Sequence, residues 1–296
     1  MSDEFARALA RADLPAEVTA RLRAVRSVLD GDEQARVESF ALVGDRPHAV
    51  IAFGDPDAAD LIVYLLHGID TDLADLAPWA DAARRLCADL IRTTVMRGEP
   101  RRIATIAWFA WDSGTHASAL ATAHATVGAA RLAIDVDRMR VRNPDAHIAV
   151  VTYSYSSTLL GELLALSMSD GIDTAFSIAS AGVTAAARVA IENAIAEGSL
   201  TVYATESEKD TVAPLGRLGQ HPVDPRDIRG VVVYDSDGGE VPSPAGAIVE
   251  GVPVDGHASQ TSVDEHGVRR IGYFDSDAQA YLTLVARLAD AVTTPL

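Results

Sequence analysis

Cysteine, lysine and long apolar runs are almost missing from this chain of 296 residues. The single cysteine, Cys87, excludes an internal disulfide. Because it lies on an amphipathic helical pattern, we expect a small buried residue rather than a nucleophile. No Cys-x-x-Cys pair and no Cys/His cluster is present, so neither a metal nor another cofactor is expected.

Segments that direct a chain to or across a membrane are missing as well. No stretch of about 18 strongly apolar residues suggests a membrane span. The N-terminus lacks the apolar centre of a signal peptide. We therefore expect a cytoplasmic protein.

Positive charge is scarce. The chain has 42 acidic and 25 basic residues, a formal net charge of -17, and Lys209 is its only lysine. Such a surface repels phosphate backbones and anionic lipid. Nucleic acid and membranes are therefore not expected as partners. A small-molecule substrate is expected, and assembly into a homo-oligomer is left open.

Two regions differ in their hydrophobic pattern. Residues 1–36 have the spacing of amphipathic helices broken at Pro15, and form a predicted N-terminal helical segment. Residues 37–296 open with a hairpin joined by "GDRP" and then alternate apolar strands with amphipathic helices. This alternation predicts an α/β fold: a mostly parallel, doubly wound sheet with helices on both faces.

The same hydrophobic pattern predicts the strands and helices after the hairpin. The predicted strands are "DLIVYLLHG", "IATIAWFAW", "HIAVVTY", "TAFSIASA", "LTVYATE" and "GVVVYDS". The predicted helices are "LADLAPWADAARRLCADLIRTTV", "HASALATAHATVGAARLAIDVDRMR", the segment after Ser154, "AAARVAIENAIAEG" and "SDAQAYLTLVARLADAV". Residues 206–272 are rich in loops, and we expect those loops to build a site.

The stretch "VVTYSYSSTLLGELL", residues 150–164, predicts a strand that enters a helix through a serine-rich corner. Serine hydrolases put their nucleophile at such a corner, in the pattern G-x-S-x-G. Ser154 takes the nucleophile position, while Thr152 and Ser156 stand where the glycines are usual. A serine that only caps the helix is the competing interpretation.

Two further strand ends carry partners for a nucleophile. After "LLHG", an amide of Gly68 or Ile69 is expected to form an oxyanion hole with the amide of Tyr155. In "YATESEKDTVAP", Asp210 follows a strand and is the favoured acid; Glu206, Glu208 and Asp235 are alternatives. For the histidine, which comes last in such a triad, His257 is favoured over His266.

Taken as an ordered set, these segments resemble an actinobacterial α/β-hydrolase family first catalogued as a domain of unknown function. Its elbow reads G-H-S-Y-G-S-T, and "TYSYSSTLLG" keeps four of those residues. Further matches are "GDPDAADLIVYLLHG", "TIAWFAWD", "SIASAGV", "DTVAPLGRLGQHPVDP" and "GHASQ…GYFDSDAQAYLTLVARLA". The resemblance runs from about residue 40 to the C-terminus. It implies an α/β-hydrolase fold, a Ser154–Asp210–His257 triad and hydrolysis of acyl bonds.

Two departures from the family pattern carry expectations of their own. Thr152 and Ser156, in the glycine positions, are expected to alter the packing of the turn without abolishing its function. If Ser156 merely fills space beside the helix start, glycine should be tolerated there; a loss of several kcal/mol would indicate a buried hydrogen bond of its hydroxyl. The apparent insertion "TSVDEHGVRRI" is expected to form a lid, and it carries the competing His266. His67, Asp70 and Trp111 are the residues we assign to the substrate pocket.

Two hypotheses for function follow, a serine hydrolase and a catalytically inert hydrolase scaffold used for binding or assembly. In the first, the chain cleaves an ester, thioester or amide of a small, partly apolar substrate through an acyl-enzyme. The acidic surface favours a substrate that is uncharged or cationic at its reacting end.

Overall fold

A computed structural model describes residues 3–166, 171–243, 247–263 and 266–293. Its centre is an eight-stranded sheet. The strands of this sheet are β1 Ala35–Val43, β2 Arg46–Phe53, β3 Leu61–Leu66, β4 Ile103–Phe109, β5 His147–Tyr153, β6 Thr174–Ile178, β7 Thr201–Thr205 and β8 Val232–Val233. Two small antiparallel hairpins stand apart from it, β9 Gly239–Pro242 with β10 Ile248–Gly251 and β11 Ser262–Val263 with β12 Arg269–Arg270.

Helices connect most of the strands. They are α1 Asp3–Leu9, α2 Ala16–Gly31, α3 Leu76–Met96, α4 Ala123–Arg142, α5 Ser156–Ala165, α6 Ala185–Ala196, α7 Ala213–Gly216 and α8 Gln279–Asp290. Short 3-10 turns occur at Leu73–Asp75, His116–Ser118 and Pro225–Asp227. Within the described ranges, no helix is long and apolar enough to cross a membrane.

The sheet is mostly parallel, as predicted. Its strand order is β1-β2-β4-β3-β5-β6-β7-β8. Strands β1 and β2 pair antiparallel, β2 pairs antiparallel with β4, and every later pairing is parallel. The carboxyl ends of β3 to β7 therefore lie at one edge, where sites form in sheets of this kind.

Helices cover both faces of the sheet, as predicted. On one face the core contains Leu22 of α2, Leu86 of α3 and Leu284 of α8. On the other it contains Leu132 of α4 and Leu159 of α5, with Ile191 of α6 beside them. Because both faces are covered, β5 is buried almost from end to end, which explains its unbroken apolar sequence.

The N-terminal helices take part in the first of these cores. Phe5, Val18, Leu22 and Val25 are each no more than 1% exposed and belong to the same apolar cluster as α3 and α8. The chain is broken between α1 and α2 near Pro15, as the sequence indicates. The hairpin that follows turns at Gly44 and Asp45 alone, because Arg46 and Pro47 already pair in β2.

Several predicted elements are shorter than expected, and the difference is largest for a helix and a strand. The helix predicted from His116 begins only at Ala123. Tertiary bonds hold the residues before it, since His221 contacts the Ala119 carbonyl over 2.9 Å and the Thr122 N–H donates to the Gln220 side chain over 3.0 Å. The strand predicted over "GVVVYDS" pairs only at Val232–Val233.

Candidate active site

Ser154 lies at the turn between β5 and α5 in a strained backbone conformation. Its φ is +58°, in the left-handed region that residues with a side chain rarely adopt. The Ser154 N–H donates to the Ile178 carbonyl of the neighbouring strand over 2.9 Å, which fixes the turn to the sheet. Strain of this kind persists where the surroundings impose it, and it clusters at functional sites.

The residues in the two glycine positions are held by buried hydrogen bonds. The Thr152 hydroxyl donates to the Phe176 carbonyl over 2.8 Å. The Ser156 hydroxyl accepts from the Tyr153 N–H over 2.8 Å and lies 3.2 Å from the Leu66 carbonyl. Ser156 therefore does more than fill space, because its hydroxyl bonds the end of β5 and links it to β3.

Ser154, His257 and Asp210 form a continuous hydrogen-bonded chain. The Nε2 atom of His257 lies 2.9 Å from the Ser154 hydroxyl, and its Nδ1 atom lies 2.7 Å from Oδ2 of Asp210. Asp210 follows β7, and His257 lies in a loop more than 40 residues later. With Nδ1 protonated towards the carboxylate, Nε2 is free to take the serine proton.

The environment of Asp210 favours its ionised form. Its other oxygen, Oδ1, accepts the N–H groups of Val212 and Ala213, each over 3.0 Å. Burial alone raises the pKa of Asp210, but the bond and charge of His257 with these amides outweigh burial, so the pKa lies below its ordinary value. The carboxylate is therefore charged and oriented at neutral pH.

The alternative acids and the alternative histidine lie elsewhere. Glu206 is paired with Arg217 and Arg226. Glu208 and Asp235 are exposed. His266 is also exposed, in the turn between β11 and β12, and the ring bonded to Ser154 is that of His257. The insertion expected to form a lid contains this hairpin; its residues 264 and 265 lie outside the described ranges.

Gly68 brings the end of β3 against the serine turn. A Cβ atom at Gly68 would lie 3.1 Å from Cβ of Ser154 and 3.2 Å from the ring of Tyr153. A side chain at Gly68 would therefore crowd the nucleophile. Ile69, the next residue, is half-buried, and Tyr155 follows Ser154 directly and is 1% exposed. Gly68 and Tyr155 therefore lie beside Ser154, and Ile69 directly follows Gly68.

The three residues predicted to line the substrate pocket, His67, Asp70 and Trp111, do not all line the same cavity. Asp70 and Trp111 line a cavity of about 400 Å³ together with Arg21, Arg46 and His48, and Ser154 is not part of its wall. His67 is fully buried and does not line this cavity; its ring centroid lies 4.4 Å from that of Phe109 and 5.4 Å from that of Trp111. Burial lowers the pKa of His67 to about 4, so the ring is neutral.

Two tyrosines that sequence reasoning did not single out contact the triad. The Tyr273 hydroxyl donates to Asp210 Oδ2 over 3.1 Å. The Tyr153 hydroxyl donates to the backbone carbonyl of His257. The only signal for Tyr273 was its presence in the matching segment "GYFD", which carries no role by itself. In the part of the chain that the structure describes, no cluster of three His, Cys, Asp or Glu side chains is arranged to hold a metal.

Comparison with known proteins gives a match to a family model and matches to many solved structures. A family model described as alpha/beta hydrolase matches residues 44–220. No curated protein sequence matches the chain. Similar solved structures include LpqC, a poly(3-hydroxybutyrate) depolymerase from Bordetella parapertussis. It is 14% identical over 72% of this chain and 88% of that one, with a TM-score of 0.42.

A second similar structure is XC6422 from Xanthomonas campestris, described as an a/b serine hydrolase without a lid. It is 13% identical over 69% of this chain and 84% of that one, with a TM-score of 0.41.

Proposed function

The chain belongs to the alpha/beta hydrolase family, and from that premise we propose that it is a serine hydrolase with Ser154 as its nucleophile. The substrate is a small, partly apolar ester, thioester or amide, met in the cytoplasm. The observation that carries this proposal is the hydrogen-bonded chain from Ser154 through His257 to Asp210, with distances of 2.9 and 2.7 Å.

The first half of the reaction acylates Ser154. Its oxygen attacks the carbonyl carbon while His257 Nε2 takes the serine proton, and a tetrahedral oxyanion forms. Asp210 stabilises the imidazolium, since its carboxylate is ionised and faces Nδ1 over 2.7 Å. The bond to the leaving group then breaks, and that group leaves with the proton from His257.

The oxyanion needs donors that are fixed before the reaction. We assign this role to the backbone N–H of Tyr155 with that of Gly68 or Ile69. The close approach of Gly68 to Ser154, where a Cβ would lie 3.1 Å from the serine Cβ, supports the assignment. Fixed amide donors of this kind are worth about 3 to 4 kcal/mol each in the transition state.

The second half of the reaction releases the acid. Water attacks the acyl-enzyme carbonyl and gives a proton to His257. The Ser154 oxygen then leaves and recovers that proton, which returns the enzyme to its starting state.

Labelling with a fluorophosphonate probe tests the proposal. Intact-mass analysis should show one adduct on the wild-type protein and none on Ser154→Ala. The exposed residue Ser199 supplies the matched control, and Ser199→Ala should label fully. An adduct on Ser156 or Ser157 would contradict the assignment, and no labelling or turnover with any acyl probe would favour an inert scaffold.

A further inference from the structure

Tyr273 lies where the loops that carry Asp210 and His257 meet. Its side chain is fully buried. Its hydroxyl donates to Asp210 Oδ2 over 3.1 Å and accepts the Ser207 N–H over 2.8 Å. Oδ2 is the same oxygen that faces His257 Nδ1 over 2.7 Å. This one carboxylate oxygen therefore has two donors, the histidine and the tyrosine.

The backbone around Tyr273 is joined to the loop of His257. The Tyr273 N–H donates to the Ala258 carbonyl over 3.0 Å, and the Phe274 N–H donates to the Ser259 carbonyl over 2.8 Å. The two segments approach closely at Gly272, where a Cβ would lie 2.3 Å from the nitrogen of Gln260. Tyr273 thus bonds the segment of the base through its backbone and the acid through its side chain.

The tyrosine hydroxyl keeps its proton in this position. Burial raises the pKa of Tyr273 well above its ordinary value, and the nearby charge of Asp210 adds to the shift. Because the hydroxyl has one proton and already accepts the Ser207 N–H, the proton is available to Asp210. Other titratable groups around the cluster include His257 and Tyr153. Asp237 accepts the Ser207 hydroxyl over 2.7 Å, and Lys209, next to Asp210, pairs with Asp255 over 2.8 Å.

We propose that Tyr273 is a positioning residue of the triad, which fixes the Asp210 carboxylate and reduces its pull on the His257 proton. The proposal rests on the proposed serine-hydrolase function only for the catalytic role of the triad. A donor to a carboxylate stabilises its negative charge, so the carboxylate stabilises a neighbouring imidazolium less. Without the hydroxyl, the carboxylate should accept the Nδ1 proton of His257 more strongly.

The chain offers a matched pair of variants. Tyr273→Phe keeps the buried ring and removes the hydroxyl. Tyr281→Phe is the control. Tyr281 lies on α8, away from the triad; it is 1% exposed, and its hydroxyl donates to Asp89 over 2.8 Å. Both variants lose one buried bond from tyrosine to aspartate, so a general loss of stability should affect both.

The decisive measurement is the proton NMR chemical shift of the His257 Nδ1–H in protein with labelled histidine, assigned with His257→Gln. Tyr273→Phe should move this resonance downfield, because the hydrogen bond from Nδ1 to Asp210 becomes stronger, and Tyr281→Phe should leave it in place. The acid limb of the kcat/KM profile for a p-nitrophenyl ester should move to higher pH in Tyr273→Phe and not in Tyr281→Phe.

Two results would overturn the inference. One is the same His257 Nδ1 proton resonance in wild type, Tyr273→Phe and Tyr281→Phe; the other is a shift of equal size in both variants. If Tyr273→Phe does not fold, 3-fluorotyrosine at position 273 decides, because a stronger donor to Asp210 should move the resonance upfield. The NMR measurement needs no turnover, so a protein that is inert towards acyl probes would contradict the proposed function and leave this test intact.

Discussion

Ser156 shows how a side chain that makes buried hydrogen bonds can replace a glycine at a tight turn. Its hydroxyl accepts the Tyr153 N–H over 2.8 Å, in a fully buried position. We therefore expect Ser156→Gly to lower the free energy of unfolding by about 2 to 4 kcal/mol. The lost hydrogen bonds contribute about 1 to 3 kcal/mol and the freedom of glycine about 0.5 to 1 kcal/mol.

Urea unfolding measures this loss, and Ser156→Ala separates its two parts. Alanine removes the hydroxyl without adding backbone freedom, so it should cost less than glycine by about 0.5 to 1 kcal/mol. A glycine variant as stable as wild type would mean that the buried bonds of Ser156 contribute nothing.

His257 is the residue whose removal should abolish activity. Its ring lies 2.9 Å from the Ser154 hydroxyl, whereas His266 is exposed. His257→Ala should lower kcat by several orders of magnitude, because members of a triad act as a unit. The His266→Ala variant should keep the wild-type rate. Steady-state kinetics with a p-nitrophenyl ester test both variants, and circular dichroism checks that each is folded. An inactive His266→Ala beside an active His257→Ala would reverse the assignment.

His67 should make the stability of the protein depend on pH. Burial lowers its folded pKa from 6.5 to about 4. Below pH 6.5, His67 is protonated in the unfolded chain but stays neutral in the folded protein. The free energy of unfolding therefore decreases as pH falls. The loss from this residue approaches about 3 kcal/mol near pH 4.

The pH dependence is measured by urea unfolding at several pH values between 7.5 and 4.5. His67→Gln should lose less stability over this range than wild type. The exposed Ser199 has no titratable side chain and gives the control, and Ser199→Ala should lose as much stability as wild type over this range. Parallel curves for wild type and His67→Gln would contradict the predicted role of burial.

The sequence around Ser154 was informative because its signal is local. A β-branched run, a serine corner and leucines at helical spacing predict a strand, a turn and a helix, and β5 and α5 form on either side of Ser154. Tyr273 was not predictable in the same way. Its contact with Asp210 depends on two loops, 63 residues apart in sequence, that meet only in the folded chain.

At the scale of elements, a buried network of four charged residues joins β6, β7 and the loops that follow them. Arg217 donates to the Ser180 carbonyl after β6 over 2.8 Å and pairs with Glu206, after β7. Asp224 and Arg226 complete the network. The Glu206 side chain is 5% exposed and that of Arg217 13%. This network holds the segment that contains Asp210.

Removing one member of the network should be costly. Arg217→Met leaves Glu206 buried with one cation fewer, and we expect a loss of about 3 to 5 kcal/mol in unfolding free energy. The surface pair of Arg188 with Glu192 supplies the control, where Arg188→Met should change the free energy of unfolding little. Denaturant titration of both variants makes the comparison. Equal small losses would mean that the network does not contribute to stability.

Element order was predictable from hydrophobic pattern, and element ends were less so. The apolar runs predicted β3 to β7 because a sheet covered on both faces requires them. The start of α4 was missed because His221, about 100 residues away in sequence, holds the Ala119 carbonyl outside the helix. Strand β8 pairs with β7 only at Val232 and Val233, and the Tyr234 N–H adds one bond to the Ala204 carbonyl over 3.1 Å.

At the scale of the whole molecule, the negative charge sets which ligands approach. The formal net charge is -17. Around the 400 Å³ cavity the acids are paired, Asp72 with Arg21 over 2.6 Å, Asp112 with Arg46, and Asp70 with His116 over 2.8 Å. Local pairing leaves the long-range field of the remaining acids, and that field is screened within about 10 Å at 0.1 M salt.

This field should make the protein select against anionic substrates at low ionic strength. For p-nitrophenyl esters of one acyl length, we expect kcat/KM to be higher for the neutral ester than for an analogue with a carboxylate at the far end of its acyl chain. The difference should shrink as sodium chloride is added, because screening weakens the repulsion. The neutral ester is its own control and should respond little to salt. A preference for the carboxylate at low salt would contradict the prediction and indicate a cationic subsite. Arg217 is paired with Glu206 and only 13% exposed. Arg269 on the β11–β12 hairpin is 58% exposed and lies 3.9 Å from Asp277, so it would be the first residue to replace.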